Sequence, residues 1–593
     1  GLRSWQAPRR TVPLSRAWLL LPFALFAVHS IGQQFKPSEA DQWLQFNLPH
    51  KLLAGSANNG QQYLADWLAP DEPSSPPDIS GLNQLDLNGT PLLKQAGSAR
   101  NVLIITLEGV TGAYINASRQ AIGSSYAQDP MPRLSQWAER GMLTTDYVLH
   151  GHQTIRGLYA MLCGDYNKLD TGTPQRSQQC LPAQLREHGF STHYLQGAGL
   201  RFMAKDQIMP QMGFEQTLGR DWFKNKPYIE FPWGMDDKAY FEGALGYVQQ
   251  LRKKQQPWML TLLAVGTHQP YSAPQEYLDR QPNAKLAAIA YLDDAVADFL
   301  NALEKRGVMK DTLVIVTSDE SHGLENVRLA SAWGFNLLLA PEQTQLPALK
   351  QGVYGHVDLT ASVLDYFAFP VPSNIAGRSL LRDYSTGREI ISYTNGLLRQ
   401  HDGQGTLTEC DFQSVCRRYA SPGFIADSAR YLGRFTGKPA RLISQRAGLL
   451  DQSLSGGEAE QHYQFANKQP IKLNPSVSDD WADNLVGAQY LTLAKDTQTT
   501  VTLKIRALSM DKPGAKLHLK TKEYDRDVAL PIPELPLLTR DKPVEISFTF
   551  DNPAARKAFS FHLTGKGQGA IEIVDFSVSS TPLEAAAKLL AAQ

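Results

Sequence analysis

The spacing of apolar and polar positions changes along the chain, and residues 98–395 have one consistent pattern. Short continuous apolar runs alternate there with stretches in which apolar residues recur every three or four positions. This alternation is typical of an α/β domain, in which helices on both faces cover a mostly parallel sheet. The pattern predicts strands at 101–108, 191–196, 258–266, 312–318, 336–340 and 388–394. It predicts helices at 131–141, 154–163, 181–189, 236–255, 284–307 and 356–367.

The pattern differs after residue 395. Residues 396–469 are turn-rich, and we expect an irregular extension there. From 470 to 582 the sequence changes to short segments of alternating apolar and polar residues, such as VTLKIRAL and AFSFHLTG, separated by turn residues. Such segments predict an antiparallel β-sandwich. The last residues, 583–593, read LEAAAKLLAAQ and predict a short helical tail.

The first residues contain an apolar run, AWLLLPFALFAVHSI at 17–31, preceded by Arg9, Arg10 and Arg16. The run is shorter than the ~20 residues that cross a bilayer, and it lacks a small-residue cleavage site. We expect residues 1–35 to hold a membrane helix with its basic end inside, which could be the last of several. A helix on the membrane surface is the alternative. Residues 36–97 predict juxtamembrane helices and a Pro/Ser-rich linker.

The composition of the chain excludes some classes of function. The 593 residues suffice for two or three domains, and 58 basic residues balance 58 acidic ones, so no global basic surface argues for nucleic acid. The four cysteines form no CxxC motif, which argues against a zinc ribbon. Their spacing predicts the disulfides Cys163–Cys180 and Cys410–Cys416, which would place the protein outside the cytoplasm. Four free thiols are the alternative.

Several predicted strands end in polar residues. Glu108 follows one apolar run, Asp319 and Glu320 follow another, and His268 follows a third. Because ligands bind at the carboxyl ends of parallel strands, we expect these side chains to converge. Adjacent buried acids are costly unless they are paired or bind a metal, and oxygen ligands favour Mg²⁺, Mn²⁺ or Ca²⁺. Helix caps, solvated turns and a structural histidine are the alternative interpretations.

Thr154 begins a predicted helix. A threonine there serves as an N-cap, or as a hydroxyl nucleophile if it is activated. Arg156 could pair with a phosphate or sulfate oxygen. Lys205 could bind an anion or lie on a solvated helix face. The remaining histidine candidates are His152, His322 and His356.

Six segments occur in an order that resembles a known family: LEG (107–109), HQTIRGLYAMLCGDY (152–166), CLPAQLREHGFSTHYLQGAGLRFMAKDQIMPQMGF (180–214), VGTHQP (265–270), VTSDESHG (316–323) and GHVDLTASVLDYF (355–367). Together they resemble the sulfatase-like lipoteichoic acid synthase and phosphoglycerol transferase family of the alkaline phosphatase superfamily. The resemblance covers residues 98–395. It implies a site for Mn²⁺, or Mg²⁺, with Glu108, Thr154 and Asp319 as ligands. It also implies that Thr154 is the nucleophile and that His268 contacts the substrate phosphate.

The chain departs from the family at two places. The family has Asp-His where this chain has Asp319-Glu320, although Glu320 can still bind a hard cation through oxygen. Gram-positive members place His, Trp and Arg around the glycerol phosphate, where this chain offers Gln196, Met203 and Lys205. The expected substrate-binding residues are Lys205, His268, Gln196, Trp333 and His356. The cysteine pairs and the β-sandwich resemble additions in Gram-negative periplasmic relatives.

The resemblance implies a transferase in the bacterial inner membrane with its catalytic domain in the periplasm. It would move phosphoglycerol from a phospholipid, phosphatidylglycerol, to a glycan or polyol through a phosphothreonine. A phosphoethanolamine transferase is one alternative, although its multiple-histidine, two-zinc pattern is not evident. A phosphatase or sulfatase is another, although Thr154-Ile-Arg stands where sulfatases have Cys or Ser in C/S-x-P-x-R. The third is a non-catalytic glycan-binding protein on a degenerate enzyme fold, since the sandwich is similar in pattern to carbohydrate-binding modules.

Overall fold

The structure, a computed structural model, describes residues 78–166 and 180–447, apart from 325–326, 328, 412–414, 427, 441 and 444. Further along the chain it describes 461–465, 471–473, 483–493, 495–510, 514–523, 526–540, 542–554 and 556–583. The predicted membrane helix in 1–35 and nearly all of the predicted tail lie outside these residues. Within them, no helix combines the length and the apolarity needed to cross a membrane.

A nine-stranded sheet forms the centre of the fold. Its strands are β1 (Asn101–Leu107), β2 (Met142–Val148), β3 (Ser191–Gln196), β4 (Gln216–Leu218), β5 (Trp258–Ala264), β6 (Thr312–Ser318), β7 (Trp333–Leu339), β8 (Leu349–Lys350) and β9 (Tyr354–Gly355). The strand order is β8-β2-β7-β6-β1-β5-β3-β4, and β9 also pairs with β2. Only β7 runs antiparallel to its neighbours, β2 and β6. The predicted α/β fold with a mostly parallel sheet is confirmed.

Helices cover both faces of this sheet. They are α1 (Asn116–Ile122), α2 (Pro132–Ala138), α3 (Thr154–Cys163), α4 (Leu181–Glu187), α5 (Lys205–Gln211), α6 (Asp237–Lys253), α7 (Gln275–Leu278), α8 (Ala284–Lys305) and α9 (Asp358–Tyr366). Every residue of β1, β5 and β6 is buried. Leu103 and Ile105 of β1 face α6 and α8, whereas Val102 and Ile104 face α3, α4 and α9. Burial on both faces explains why these strands are continuous apolar runs.

Residues 78–97 pack against the α/β domain without forming a helix. Leu85–Asp86 pairs in parallel with Gly377–Arg378, and Thr90–Pro91 pairs antiparallel with Arg382–Asp383. The end of the predicted juxtamembrane and linker region is therefore held by the α/β domain.

A second sheet replaces the irregular extension that the sequence predicts after residue 395. It has five antiparallel strands: β10 (Ile390–Thr394), β11 (Leu397–His401), β12 (Thr406–Cys410), β13 (Cys416–Ala420) and β14 (Arg430–Phe435). The prediction was wrong because these short strands carry many polar residues and close turns. The predicted strand at 388–394 also belongs to this sheet and not to the central one. A disulfide joins Cys410 to Cys416, which face each other across a hairpin.

The C-terminal region forms two antiparallel sheets with one apolar core. One contains β15 (Gln461–Phe465), β16 (Ile471–Leu473), β18 (Thr497–Met510), β21 (Val544–Asn552) and β23 (Gly569–Pro582); the other contains β17 (Asp483–Leu493), β19 (Lys516–Glu523), β20 (Arg526–Asp527) and β22 (Arg556–Lys566). Leu503 and Phe576 from the first sheet pack with Leu519 and Phe561 from the second. This is the arrangement of the sandwich that the alternating pattern predicts.

Candidate active site

Three acids meet where two neighbouring strands end. Leu107 and Ser318 are partners in the β1–β6 pair, so Glu108 and Asp319 leave the sheet side by side. Glu108, Asp319 and Glu320 are 2%, 0% and 8% exposed. The backbone N–H groups of Gly109 and Glu320 donate to Oδ1 of Asp319 at 3.2 and 2.7 Å. The strand register thus produces the convergence that the sequence predicts.

Thr154 reaches the same place from helix α3. It is the first residue of that helix, and its hydroxyl donates a 3.1 Å hydrogen bond to Oε2 of Glu108. The helix can approach this closely because Gly157, one turn on, has no side chain. A Cβ at that position would overlap the carbonyl oxygen of Asp319. Gly157 therefore allows the helix to come close enough for Thr154 to reach the acid cluster.

Two oxygens of the acid cluster lack a hydrogen-bond partner among the residues that the structure describes. They are Oε1 of Glu108 and Oδ2 of Asp319, and both are buried. Burial and then the charge of Glu108 hold the pKa of Asp319 well above its usual range, and burial with both neighbouring acids raises that of Glu320. Burial would also raise the pKa of Glu108, but His322 and Glu320 outweigh it and lower that pKa. Unpaired buried carboxylate oxygens fit a hard divalent cation.

Lys205 brings a positive charge to the cluster. It is the first residue of α5 and is 3% exposed. Burial lowers the pKa of its ammonium, whereas the charges of Glu108, Asp319 and Glu320 raise it. The ammonium group therefore lies within electrostatic reach of all three acids, and it could neutralise an incoming phosphate.

Aromatic rings surround the opening of the site. His268 is half-buried, and its ring lies 4.3 Å from that of Trp233, whose indole N–H donates to the carbonyl of Gln269 at 2.6 Å. Trp233 in turn packs against Phe202 at 5.0 Å. The sequence reasoning missed Phe202 and Trp233. Phe202 stands three positions before Lys205, a signal that could have found it, but the sequence around Trp233 contains no comparable signal.

His322 lies beside the acids. Its Nε2 is 3.6 Å from Oε1 of Glu108 and 4.0 Å from Oε1 of Glu320. These three residues present ligand atoms within 4.8 Å of one another, a geometry that could hold a metal ion. From the sequence, His322 was only a remaining candidate, because nothing there shows how the turn after Asp319 folds.

Comparison with known proteins shows what this part of the chain resembles. The family model described as Sulfatase matches residues 100–369, which include Glu108, Thr154, Asp319 and Glu320. Phosphoglycerol transferase I of Escherichia coli strain SMS-3-5 is 28% identical over 150 residues. Residues 100–369 are thus similar to the sulfatases. The alignment with that transferase covers 24% of this chain and 20% of the relative, so the chain matches about one-fifth of the relative's length.

Solved structures agree with the fold of this sulfatase-like protein. An alkaline phosphatase superfamily protein from Vibrio parahaemolyticus has a TM-score of 0.51 at 16% identity, covering 66% of this chain and 93% of its own. The lipoteichoic acid synthase LtaP from Listeria monocytogenes has a TM-score of 0.50 at 15% identity, covering 62% and 95%.

Three expected substrate-binding residues are buried within the sulfatase-like domain. Trp333 is fully buried and donates its indole N–H to the carbonyl of Thr145. His356 is fully buried with Nε2 2.8 Å from the carbonyl oxygen of Ser318, and burial lowers its pKa to about 4. Gln196 is also fully buried. Its amide donates to two backbone carbonyls and accepts from the hydroxyl of Tyr194. All three side chains thus form hydrogen bonds with the surrounding protein, and their part in substrate binding stays a prediction.

Two other predicted residues lie near the opening of the site in the sulfatase-like domain. Met203 is half-buried and has a positive φ of 56°, in the turn that leads into α5. Arg156 extends toward His152: burial and then the Arg156 charge lower the pKa of that histidine.

The structure also forms a disulfide between Cys163, at the end of α3, and Cys180, just before α4.

Proposed function

We propose that the chain is a metal-dependent phosphotransferase that moves phosphoglycerol from phosphatidylglycerol to a hydroxyl of a glycan or polyol. The reaction would proceed through a phosphothreonine at Thr154. The observation that carries this proposal is the hydrogen bond from the Thr154 hydroxyl to Glu108, within a buried cluster of three acids. The similarity to phosphoglycerol transferase I and the fold shared with LtaP support the choice of donor and reaction.

The residues suited to hold the cation are Glu108, Thr154, Asp319 and Glu320, and the oxygen-rich set favours Mn²⁺ or Mg²⁺. When bound, such an ion lowers the pKa of a hydroxyl and neutralises charge that develops on phosphate oxygens.

In the first step, Oγ1 of Thr154 attacks the phosphorus of the donor in line with the ester oxygen of diacylglycerol. The Glu108 carboxylate orients the hydroxyl and is the nearest acceptor for its proton. A bond forms between Oγ1 and phosphorus, and the bond from phosphorus to diacylglycerol breaks. His268, at the opening, donates a proton to the departing diacylglycerol oxygen. Lys205 neutralises charge on the phosphate.

In the second step, an acceptor hydroxyl attacks the phosphorus of phosphothreonine. A bond forms between the acceptor oxygen and phosphorus, and the acceptor's proton passes to His268, which gave one up in the first step. The bond from phosphorus to Oγ1 breaks, and Thr154 regains its proton from Glu108. The rings of Phe202 and Trp233 offer a surface on which a sugar or polyol could lie beside the reacting phosphate. Water in place of the acceptor would turn the same chemistry into hydrolysis.

We further propose that the catalytic domain lies in the periplasm, anchored to the inner membrane through the region 1–35. Two disulfides support this location, because such bonds persist in oxidising compartments. Anchoring would keep the site near its lipid donor.

Intact and peptide mass spectrometry tests the proposal after incubation of the full chain with phosphatidylglycerol and Mn²⁺. We expect the Thr154 peptide to gain the mass of one glycerol phosphate while diacylglycerol is released. Thr154→Val keeps the shape of the side chain but lacks the hydroxyl, and should give neither product. Absence of an adduct and of diacylglycerol with phosphatidylglycerol, phosphatidylethanolamine and cardiolipin would contradict the proposal. An adduct of phosphoethanolamine would change the donor and keep the chemistry.

A further inference from the structure

His322 occupies a place in the acid cluster that no assigned role explains. Its Nε2 lies 3.6 Å from the Glu108 oxygen that has no hydrogen-bond partner among the described residues, and 4.0 Å from an oxygen of Glu320. Its side chain is 21% exposed, whereas that of Glu108 is 2% exposed. The imidazole therefore lies between the buried acids and the solvent.

These separations are too long for hydrogen bonds and suit two ligands of one ion. Ligand atoms that are each about 2.1 Å from an ion lie about 3 to 4 Å apart, depending on the angle between them. Both distances from Nε2 fall in this range, and all three ligand atoms lie within 4.8 Å of one another. A cation between them would also satisfy the unpaired oxygen of Glu108.

The backbone holds His322 in this position. Its N–H donates to the carbonyl of Gly109 at 3.4 Å, which joins the turn after β6 to the residue that follows Glu108. Gly109 has a φ of +66°, and a Cβ there would lie 2.5 Å from the imidazole ring. Ser321 fixes the same turn, because its hydroxyl donates to the carbonyl of Ala330 at 2.7 Å. The glycine thus provides the space that the imidazole fills.

We propose that His322 is the nitrogen ligand of the divalent cation and closes the site on its solvent side. Glu320 directly follows Asp319 in this chain, and His322 supplies the nitrogen from two residues beyond Glu320. The inference rests on the proposed function only in requiring a cation in this site. An imidazole beside carboxylates favours Mn²⁺ or Zn²⁺ over Mg²⁺, because Mg²⁺ prefers oxygen ligands.

Electron spin-echo spectroscopy of the full chain loaded with Mn²⁺ tests this role directly. A directly bound imidazole nitrogen produces a coupling to the electron spin. We expect this coupling in the wild type and its loss in His322→Gln, with Mn²⁺ affinity at least roughly tenfold lower. His268→Gln is the matched control, since its ring lies in the same opening, 6.2 Å from that of His322. The control should keep the coupling and the affinity. Circular dichroism of both variants without metal checks that they fold.

The outcomes separate this inference from the proposed function. Mn²⁺ binding without a nitrogen coupling in the wild type would overturn the role of His322 and leave the metal-dependent transferase intact. A coupling that persists in His322→Gln would also overturn it, because another histidine would then supply the nitrogen. Failure of the wild type to bind Mn²⁺ or Zn²⁺ at all would overturn both proposals.

Discussion

The hydroxyl of Thr154 donates to Oε2 of Glu108 at 3.1 Å, so the proposed nucleophile shares its carboxylate with the proposed cation site. Glu108→Gln keeps the size of the side chain and an oxygen acceptor but removes the charge. We expect diacylglycerol release to fall at least roughly 100-fold, the scale of removing a group that stabilises developing charge. Mn²⁺ affinity should fall with it, as titration calorimetry would show.

Glu304→Gln is the control for that substitution, because Glu304 pairs with Arg140 on the surface of α8. It should leave both quantities unchanged. Wild-type metal affinity in Glu108→Gln would show that this carboxylate is not a ligand.

Gly157 allows α3 to approach the end of β6, and we expect Gly157→Ala to disturb both stability and activity. The added methyl group would overlap the carbonyl of Asp319, and overpacking of this kind costs about 1–3 kcal/mol. Because the displaced helix carries Thr154, donor cleavage should fall further than the loss of stability explains. Urea unfolding and diacylglycerol release measure the two effects.

Gly246→Ala provides the comparison on helix α6, where a Cβ meets no atom within 4 Å. That variant should be about 0.4–1 kcal/mol more stable than the wild type, with unchanged activity. Equal behaviour of the two variants would refute the packing argument.

Lys205→Met should separate metal binding from phosphate transfer. The ammonium lies near three acids, so its removal should leave Mn²⁺ affinity equal or higher, since one repulsive positive charge is gone. Diacylglycerol release should still fall by roughly 10- to 100-fold, because the phosphate loses a neutralising charge. Lys238→Met, on an exposed part of α6 beside Tyr228, should change neither. A parallel fall in metal affinity and turnover would argue that Lys205 acts through the acids instead.

The order of the central strands shows what the sequence can and cannot predict. Uninterrupted apolar runs such as β1 and β6 end at a definite residue, so the positions of Glu108 and Asp319 could be inferred. Direction is not encoded in such a run, and the antiparallel course of β7 could not be read from it. The position of His322 depends on the turn after Asp319, and the burial of Trp333 could not be read from the sequence, which does not reveal which end of β7 is covered.

Asp146 should make stability depend on pH. This residue of β2 accepts the N–H groups of Phe424 and Ile425 at 2.9 and 3.0 Å, which joins the central sheet to the segment after β13. Burial raises its pKa from 3.8 to about 7, although these two hydrogen bonds oppose the rise. The folded state therefore binds this proton more tightly than the unfolded state does. The resulting gain in unfolding free energy is fully present below pH 3.8.

That contribution is lost as the pH rises to about 7. The wild type should accordingly lose up to about 4 kcal/mol of unfolding free energy relative to Asp146→Asn between pH 4 and 8. Urea titrations at several pH values provide the measurement, and Asp279→Asn, on an exposed turn, should give a flat difference. A flat difference for Asp146→Asn as well would mean that the carboxyl group keeps an ordinary pKa in the fold.

The disulfide between Cys163 and Cys180 means that the protein matures in steps, with oxidation after synthesis. Cys163 ends the ten-residue helix that Thr154 begins, so oxidation secures the far end of the segment that carries the nucleophile. Before oxidation, this helix is held by packing and by hydrogen bonds such as those from Thr154 to Glu108 and from Thr360 to the carbonyl of Met161. If the chain is exported as proposed, the helix is fixed only after it reaches an oxidising compartment. Catalytic competence would then arrive with the lipid substrate, and cytoplasmic phosphate esters would not meet a finished site.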